Sequence, residues 1–264
     1  MSDFLKDMAE SSAARAAAAP SFTDADFDKP VVPLTLGAFD VIAEIKQRSP
    51  AEGHLTPKGS SYLLPKLGSR AQSYAAGGAA AISVLTEPSR FDGELSHLEA
   101  VVAAVPGTPV MRKDFLVAPV QILEARKAGA SGVLLIATML SDAKLRAMLD
   151  CAFEHSMFVL LETFDEDDLK RSTKFLDGDG DLLIGVNTRN LRTLEVDTER
   201  LQKLAPMLPD AKCVAESGLR VAEDAARVVG WGYSMALVGT ALMRSEDPAA
   251  LVKAMREAGA TQCL

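Results

Sequence analysis

From residue 41 onward the chain alternates between two hydrophobic rhythms. Short, nearly continuous apolar runs rich in β-branched residues recur at Val41–Lys46, Ala80–Thr86, Val110–Lys113, Gly132–Thr138, Phe158–Thr163, Leu182–Asn187, Lys212–Glu216 and Met235–Gly239. Each has the length and composition of a buried strand. Between them lie stretches with helical period. Pro119 opens one in which Val120, Leu123 and Ala128 share a side and Gly129 stops it. Ser141 is placed to cap a second, with Leu145, Met148, Leu149 and Ala152 as its apolar stripe. Asp165 and Asp197 are placed to cap two more, and 221–229 and 248–257 follow the last two strands.

Strands joined by helices run parallel, because each crossover spans the sheet. Strands apolar along their whole length are covered on both faces. Eight such units in roughly 220 residues predict a closed (β/α)8 barrel, with an open doubly wound sheet as the alternative. Residues 41–264 are assigned to the barrel and 1–40 to an N-terminal extension, with an Ala-rich helix at 3–19 and a Pro/Asp-rich connector from Pro20 to Pro33. Residues 52–72, rich in Gly, Pro and Ser, read as an unusually long loop after the first strand.

Composition narrows the function classes. The 264 residues carry 28 Lys+Arg against 36 Asp+Glu, a net charge of −8, and only 5% are aromatic. That balance argues against nucleic acid as a partner, which needs a basic face. Cys151, Cys213 and Cys263 have unrelated spacings and read as reduced thiols, Cys213 as core. The first twenty residues lack the apolar segment of a secretory signal and no run is long enough to span a membrane, so a cytoplasmic location is expected. Neither GxGxxG nor GxxxxGK[ST] occurs. His54, His97 and His155 stand apart, without metal-ligand spacing, and His155 reads as a surface residue.

A barrel carries its site at the C-terminal ends of its strands. There the sequence places Glu44 and Lys46, Arg112-Lys113-Asp114-Phe115, Glu162, Asn187-Thr188-Arg189, Glu216-Ser217-Gly218 and Gly239-Thr240. Period-2 spacing points Glu44 and Lys46 the same way. One charge at a strand end is explained by a rim salt bridge; six strands ending in polar groups are not. Glu44, Lys46, Lys113, Glu162, Asn187, Arg189 and Glu216 mix cations for an anionic substrate with groups for proton transfer. The glycine turns after the last two strands suit a phosphate. Crowding Lys46 with Lys113 depresses their proton affinity and nearby carboxylates raise it, so sequence leaves the direction open. A strand-end surface lysine adds little stability, so loss of Lys113 is expected to spare the fold.

The segments 43–50 (AEIKQRSP), 80–93 (AAISVLTEPSRFDG), 109–137 (which holds RKDF), 184–197 (IGVNTRNLRTLEVD), 215–219 (AESGL) and 237–244 (LVGTALMR) together resemble the indole-3-glycerol phosphate synthase family over about residues 41–256. The resemblance implies conversion of 1-(2-carboxyphenylamino)-1-deoxyribulose 5-phosphate to indole-3-glycerol phosphate, CO₂ and water, without cofactor or metal. It implies Lys113 as general acid, Glu162 in the proton transfers of dehydration, Lys46 as a neighbouring acid or anion contact, and Glu44, Asn187 and Glu216 as orienting groups. It also implies Ser49 and Arg189 as substrate contacts, Ser217, Gly218, Gly239 and Thr240 as phosphate contacts, and Phe115 and Leu237 as walls for the aromatic ring. The chain departs from the family pattern in a shorter, less basic N-terminus, in Ala51-Glu52-Gly53 for the usual Ser-Lys-Gly, in Thr163-Phe164 after Glu162, and at Thr240. These changes leave open a specialised pathway in place of tryptophan biosynthesis. The expected partner is the small phosphorylated, anthranilate-derived substrate, and the expected assembly a monomer or homodimer. Two alternatives remain: another phosphosugar barrel enzyme such as phosphoribosylanthranilate isomerase, or a catalytically silent ligand-binding barrel.

Overall fold

The computed structural model describes residues 2–49, 53–55, 63–176, 178, 180–189, 196–197 and 199–262. Eight parallel strands close on themselves, each hydrogen-bonded to its sequence neighbours and the last to the first. They are β1 (Asp40–Ile45), β2 (Ala81–Leu85), β3 (Val110–Lys113), β4 (Gly132–Ile136), β5 (Phe158–Thr163), β6 (Leu182–Asn187), β7 (Cys213–Glu216) and β8 (Met235–Val238). Closure excludes the open-sheet alternative.

The side-chain alternation of each strand explains its apolar run. Val41, Ala43 and Ile45 of β1 pack outward against helices, while Ile42 points inward. The same division holds for Val133 and Leu135 against Leu134 and Ile136, and for Ala236 and Val238 against Met235 and Leu237. Two layers therefore need filling, and each strand needs apolar residues on both faces. Large and small residues fit together inside: a Cβ on Gly132 would strike the Phe158 ring.

An N-terminal helix α1 (Asp3–Ala17) precedes the barrel. The helices that follow successive strands are α2 (Leu63–Ala76), α3 (Leu95–Ala104), α4 (Pro119–Ala128), α5 (Asp142–Glu154), α6 (Glu166–Ser172), α7 (Glu199–Leu204) and α8 (Ala222–Val229), then α9 (Thr240–Arg244) and α10 (Pro248–Gln262). The predicted caps form: Ser141 Oγ accepts from Lys144 N–H, Asp165 Oδ1 from Asp168 N–H, and Gly129 ends α4 at φ 95°. Asp197 Oδ1 accepts from the N–H of Glu199, the first residue of α7.

Three expectations need correction. Residues 63–72, assigned to the long loop, are helical. Pro65 falls in the first turn, where its missing N–H costs nothing, and Gly68 lies where a Cβ would press on Ala104 of α3. The remainder of that loop, 50–52 and 56–62, lies outside the described residues, while Gly53–His54 pairs antiparallel with Arg48–Ser49. Strand β4 stops at Ile136, because Ala137–Met139 turn into a 3-10 segment. His155 is only partly exposed. Its ring packs edge-to-face with that of Phe27, the centroids 4.9 Å apart, and so helps hold the connector against the barrel.

Candidate active site

The inward end of β1 carries Glu44, and Lys46 follows two positions on. They form an ion pair of 2.6 Å, as their spacing predicts. Glu44 is buried. Desolvation works against its charge, but Lys46, Lys113 and Arg189 outweigh it and hold the carboxyl below its ordinary range. The inward end of β3 carries Lys113. Its Nζ lies 3.2 Å from Glu162 Oε2 of β5, 3.4 Å from Glu216 Oε2 of β7 and 3.9 Å from Glu44 Oε2. Three strands distant in sequence thus deliver carboxylates to one ammonium.

These contacts settle the direction left open for Lys113. Burial disfavours its charge, yet Glu162, Glu216 and Glu44 raise its proton affinity well above that of a free lysine. Glu216 moves oppositely to Glu44. Burial and the neighbouring Glu162 push its carboxyl well up, against the pull of Lys113. Glu216 is therefore a carboxyl of the cluster whose charged form burial disfavours. Its buried Oε1 has no hydrogen-bond partner and lies against Gly185, where any Cβ would collide with it.

A sign follows for stability. A carboxyl whose folded pKa is raised stabilises the fold fully below its unfolded value near 4.3, and that contribution is lost as pH rises through the folded value. Glu216→Gln fixes the neutral form and keeps an acceptor for Lys113. Its melting temperature should gain on the wild type by on the order of a few degrees at pH 8, with the gap closing toward pH 4. Thermal melts at the two pH values check this; a variant that melts below the wild type at pH 8 would show that the fold favours the charged form of Glu216.

Asn187, inward at the end of β6, accepts from the Arg189 N–H and from Ser217 Oγ, both at 2.9 Å. Thr188 Oγ1 donates to the carbonyls of Glu216 and Ser217, tying β6 to the turn after β7. Ser217 has φ 70° and Gly218 φ 86°. A left-handed serine is a strained conformation of the sort that persists at functional turns. Gly239 follows β8 where a Cβ would strike Glu44 Oε1 and Lys46 Nζ. Gly239→Ala should displace that ion pair and lower turnover about 10²-fold with the fold unchanged by circular dichroism; turnover near wild type would show that the pair tolerates the shift.

A cavity of about 470 Å³ opens here. Of the predicted site residues, Glu44, Lys46, Ser49, Lys113, Phe115, Glu162, Asn187, Arg189, Ser217, Gly218, Leu237, Gly239 and Thr240 line it. Glu216 does not; it stands behind Lys113 and acts through it. Arg112 is likewise not a mouth residue. It points out of the barrel, where Thr86, Gln121, Glu124 and Asp114 satisfy it. Phe4 of α1, Phe91 after β2 and Leu134 of β4 were missed by the sequence reading, and all three line the cavity. Leu134 was legible as the inward neighbour of Val133 and Leu135; no local signal marks the two phenylalanines.

Other nucleophiles and ligands are accounted for. Burial pushes the Cys213 thiol up to about 12 and the Cys151 thiol to about 11, which disfavours the reactive thiolate. His54 pairs with Asp92 at 3.1 Å, and His97 Nδ1 accepts from the Glu94 N–H. Among the described residues no group of three His, Cys, Asp or Glu could hold a metal ion, and no helix is long and apolar enough to cross a membrane. Cys263 lies outside the described residues.

Comparison with known proteins agrees with this geometry. The family model for indole-3-glycerol phosphate synthase matches residues 8–255. An indole-3-glycerol phosphate synthase from Nocardioides sp. is 44% identical over 253 residues, 94% of this chain and 93% of the relative. Another from Mycobacterium leprae is 42% identical over 247 residues, 93% of this chain and 85% of the relative. Among solved structures, 3-hexulose-6-phosphate synthase from Salmonella typhimurium superposes with a TM-score of 0.65 at 14% identity, covering 85% of this chain and 100% of that one. Thiamine phosphate pyrophosphorylase from Pyrococcus furiosus gives 0.60 at 15%, covering 86% and 98%. At such identities these structures speak for the barrel alone.

Proposed function

The chain belongs to the indole-3-glycerol phosphate synthase family, and from that footing we propose how its mouth carries out the family's reaction: ring closure, decarboxylation and dehydration of 1-(2-carboxyphenylamino)-1-deoxyribulose 5-phosphate. The observation that carries the reading is the buried cluster of Lys113 with Glu162, Glu216 and Glu44 at the base of one cavity.

The substrate has an aromatic ring, a carboxylate, a ketone and a phosphate. The phosphate sits at Ser217, Gly218, Gly239 and Thr240, which line the cavity at the turns after β7 and β8. The ring lies among Phe115, Leu237 and Leu134, with Phe4 and Phe91 closing that side. Arg189, Lys46 and Ser49 contact the carboxylate and the sugar hydroxyls. Lys113 then donates a proton to the ketone oxygen as the ring carbon attacks, so negative charge never accumulates on that oxygen. An ammonium of raised proton affinity is a weak acid at rest. Its carboxylate neighbours hold the proton in place until the substrate oxygen, gaining charge, becomes the stronger base.

Loss of CO₂ restores the aromatic ring. Glu162, 3.2 Å from Lys113 Nζ, takes part in the proton transfers that expel water. Glu216, Glu44 and Asn187 keep these groups oriented. All of these steps use protons held by this chain's own side chains, in the cytoplasm.

The test is incubation with the carboxyphenylamino-deoxyribulose phosphate. The expected result is indole fluorescence accompanied by one CO₂ per product. Reversible isomerisation without CO₂, or calorimetric binding with no product, would contradict the reading and favour an isomerase or a silent barrel.

A further inference from the structure

The N-terminal helix does more than supply Phe4 to the cavity wall. Resting on the reaction above, we propose that Arg15 is a positioning residue for Lys113, acting through Asp114, and that α1 locks the β3–α4 turn by two buried polar contacts made from one of its faces.

The first contact is a fork. Arg15 Nη1 and Nη2 donate to the two oxygens of Asp114 at 2.9 and 2.8 Å. Asp114, next to Lys113 in the chain, is 1% exposed. It also accepts from Thr86 Oγ1 at 2.8 Å, Arg112 Nη2 at 3.2 Å and the Phe115 N–H at 2.8 Å. The residue after the ammonium-bearing one is thus immobilised from four directions, and one of them is α1. A bidentate guanidinium–carboxylate pair fixes orientation as well as distance.

The second contact lies one turn back on α1. Gln121 Nε2 donates to Ser12 Oγ at 2.9 Å and to the Ser12 carbonyl at 3.3 Å, and both residues are fully buried. Gln121 Oε1 in turn accepts from the Val117 and Ala118 N–H groups. Asp114 and Gln121 therefore organise the two ends of the turn, and Ser12 and Arg15, three residues apart on α1, grip both. At its other end α1 sets Phe4 against Phe115 at 5.8 Å between ring centroids, so the same turn is held from the cavity side too.

Arg15 Nε is buried without a partner. Burying a donor unsatisfied costs stability, so this placement suits a role in setting geometry better than one in holding α1 down. A side chain that must reach a reacting oxygen needs its backbone fixed within a fraction of an ångström, and groups that lock it are the usual means.

The experiment compares Arg15→Ala, Arg15→Lys and Ser12→Ala with the wild type. Lys127→Ala, which breaks an exposed ion pair with Asp26 and a cation–π contact with Phe22, both in the connector, is the control. Arg15→Ala should lower kcat about 10- to 100-fold with KM changed much less. The basic limb of its kcat–pH profile should move to lower pH, because a loosened Lys113 loses part of its carboxylate support. Arg15→Lys should recover part of both effects, Ser12→Ala should show a smaller version, and Lys127→Ala should match the wild type. Amide hydrogen exchange at 113–118 should quicken in Arg15→Ala, a readout that needs no turnover and so separates failure of this inference from failure of the proposed reaction. Unchanged exchange and pH profile, with only KM or melting temperature altered, would overturn it. If Arg15→Ala does not fold, the Arg15→Lys and Ser12→Ala profiles decide in the same way.

Discussion

Lys113→Met should reduce turnover by at least about 10³-fold, the combined loss of a general acid and of the charge facing the developing oxyanion. The fold should respond in a pH-dependent way. A strand-end surface charge would be dispensable, but the Lys113 side chain is only 14% exposed and is shared by three carboxylates. Without it, Glu44 still has Lys46, whereas Glu162 and Glu216 face each other with no cation between them. Two buried carboxyls so placed take up protons. The variant should therefore melt close to the wild type near pH 5 and well below it near pH 8. Product fluorescence measures the first effect and thermal melts at the two pH values the second. Turnover within tenfold of wild type would remove Lys113 from its role.

Glu162→Gln has the second largest expected effect, and its nature differs. Glutamine still accepts from Lys113 but cannot take a proton, so ring closure and loss of CO₂ should survive better than loss of water. Overall formation of the indole should fall about 10²- to 10³-fold. In a single turnover, CO₂ release should run ahead of indole fluorescence, because a hydroxylated, decarboxylated intermediate accumulates. CO₂ and indole appearing together at equal rates would place Glu162 before decarboxylation or outside the chemistry. Glu216 does not substitute for it, since it stands behind Lys113 and does not line the cavity.

Much of this site was legible because a strand has a strict period. Glu44 and Lys46 were assigned to one face by spacing alone, and they pair at 2.6 Å. The inward positions of Asn187 and of Ser217 after β7 followed from the same strand-end reading. Period fails where a strand ends in consecutive charges. Arg112 and Lys113 cannot share a face, yet nothing in the run says which points inward; the partners waiting outside, Gln121 and Glu124, decide it. The 63–72 segment was misread because Pro and Gly were counted as breakers without regard to place. A first-turn proline and a glycine at a helix contact are both compatible with a helix.

The remaining omissions are matters of long-range packing. Phe4 reaches the cavity from a helix more than a hundred residues before its partner Phe115, and Arg15 reaches Asp114 across 99 positions. A helix predicted as Ala-rich with acids and one arginine gives no hint of what it will touch. Electrostatic direction is lost for the same reason. Whether Lys113 gains or loses proton affinity depends on three distances between strands, not on which ionisable residues the strands contain.

The claim on which the account turns is that one bound molecule touches Lys113, Glu162 and the Ser217 and Thr240 turns at once. A crystal structure with a substrate analogue whose ketone is reduced to an alcohol tests it most directly. The account predicts the analogue's phosphate on the backbone N–H groups of 217–218 and 239–240, its ring against Phe115 and Leu237, and its alcohol oxygen within hydrogen-bond distance of Lys113 Nζ. An analogue bound with its alcohol out of reach of Lys113, or with its phosphate away from both turns, would contradict it.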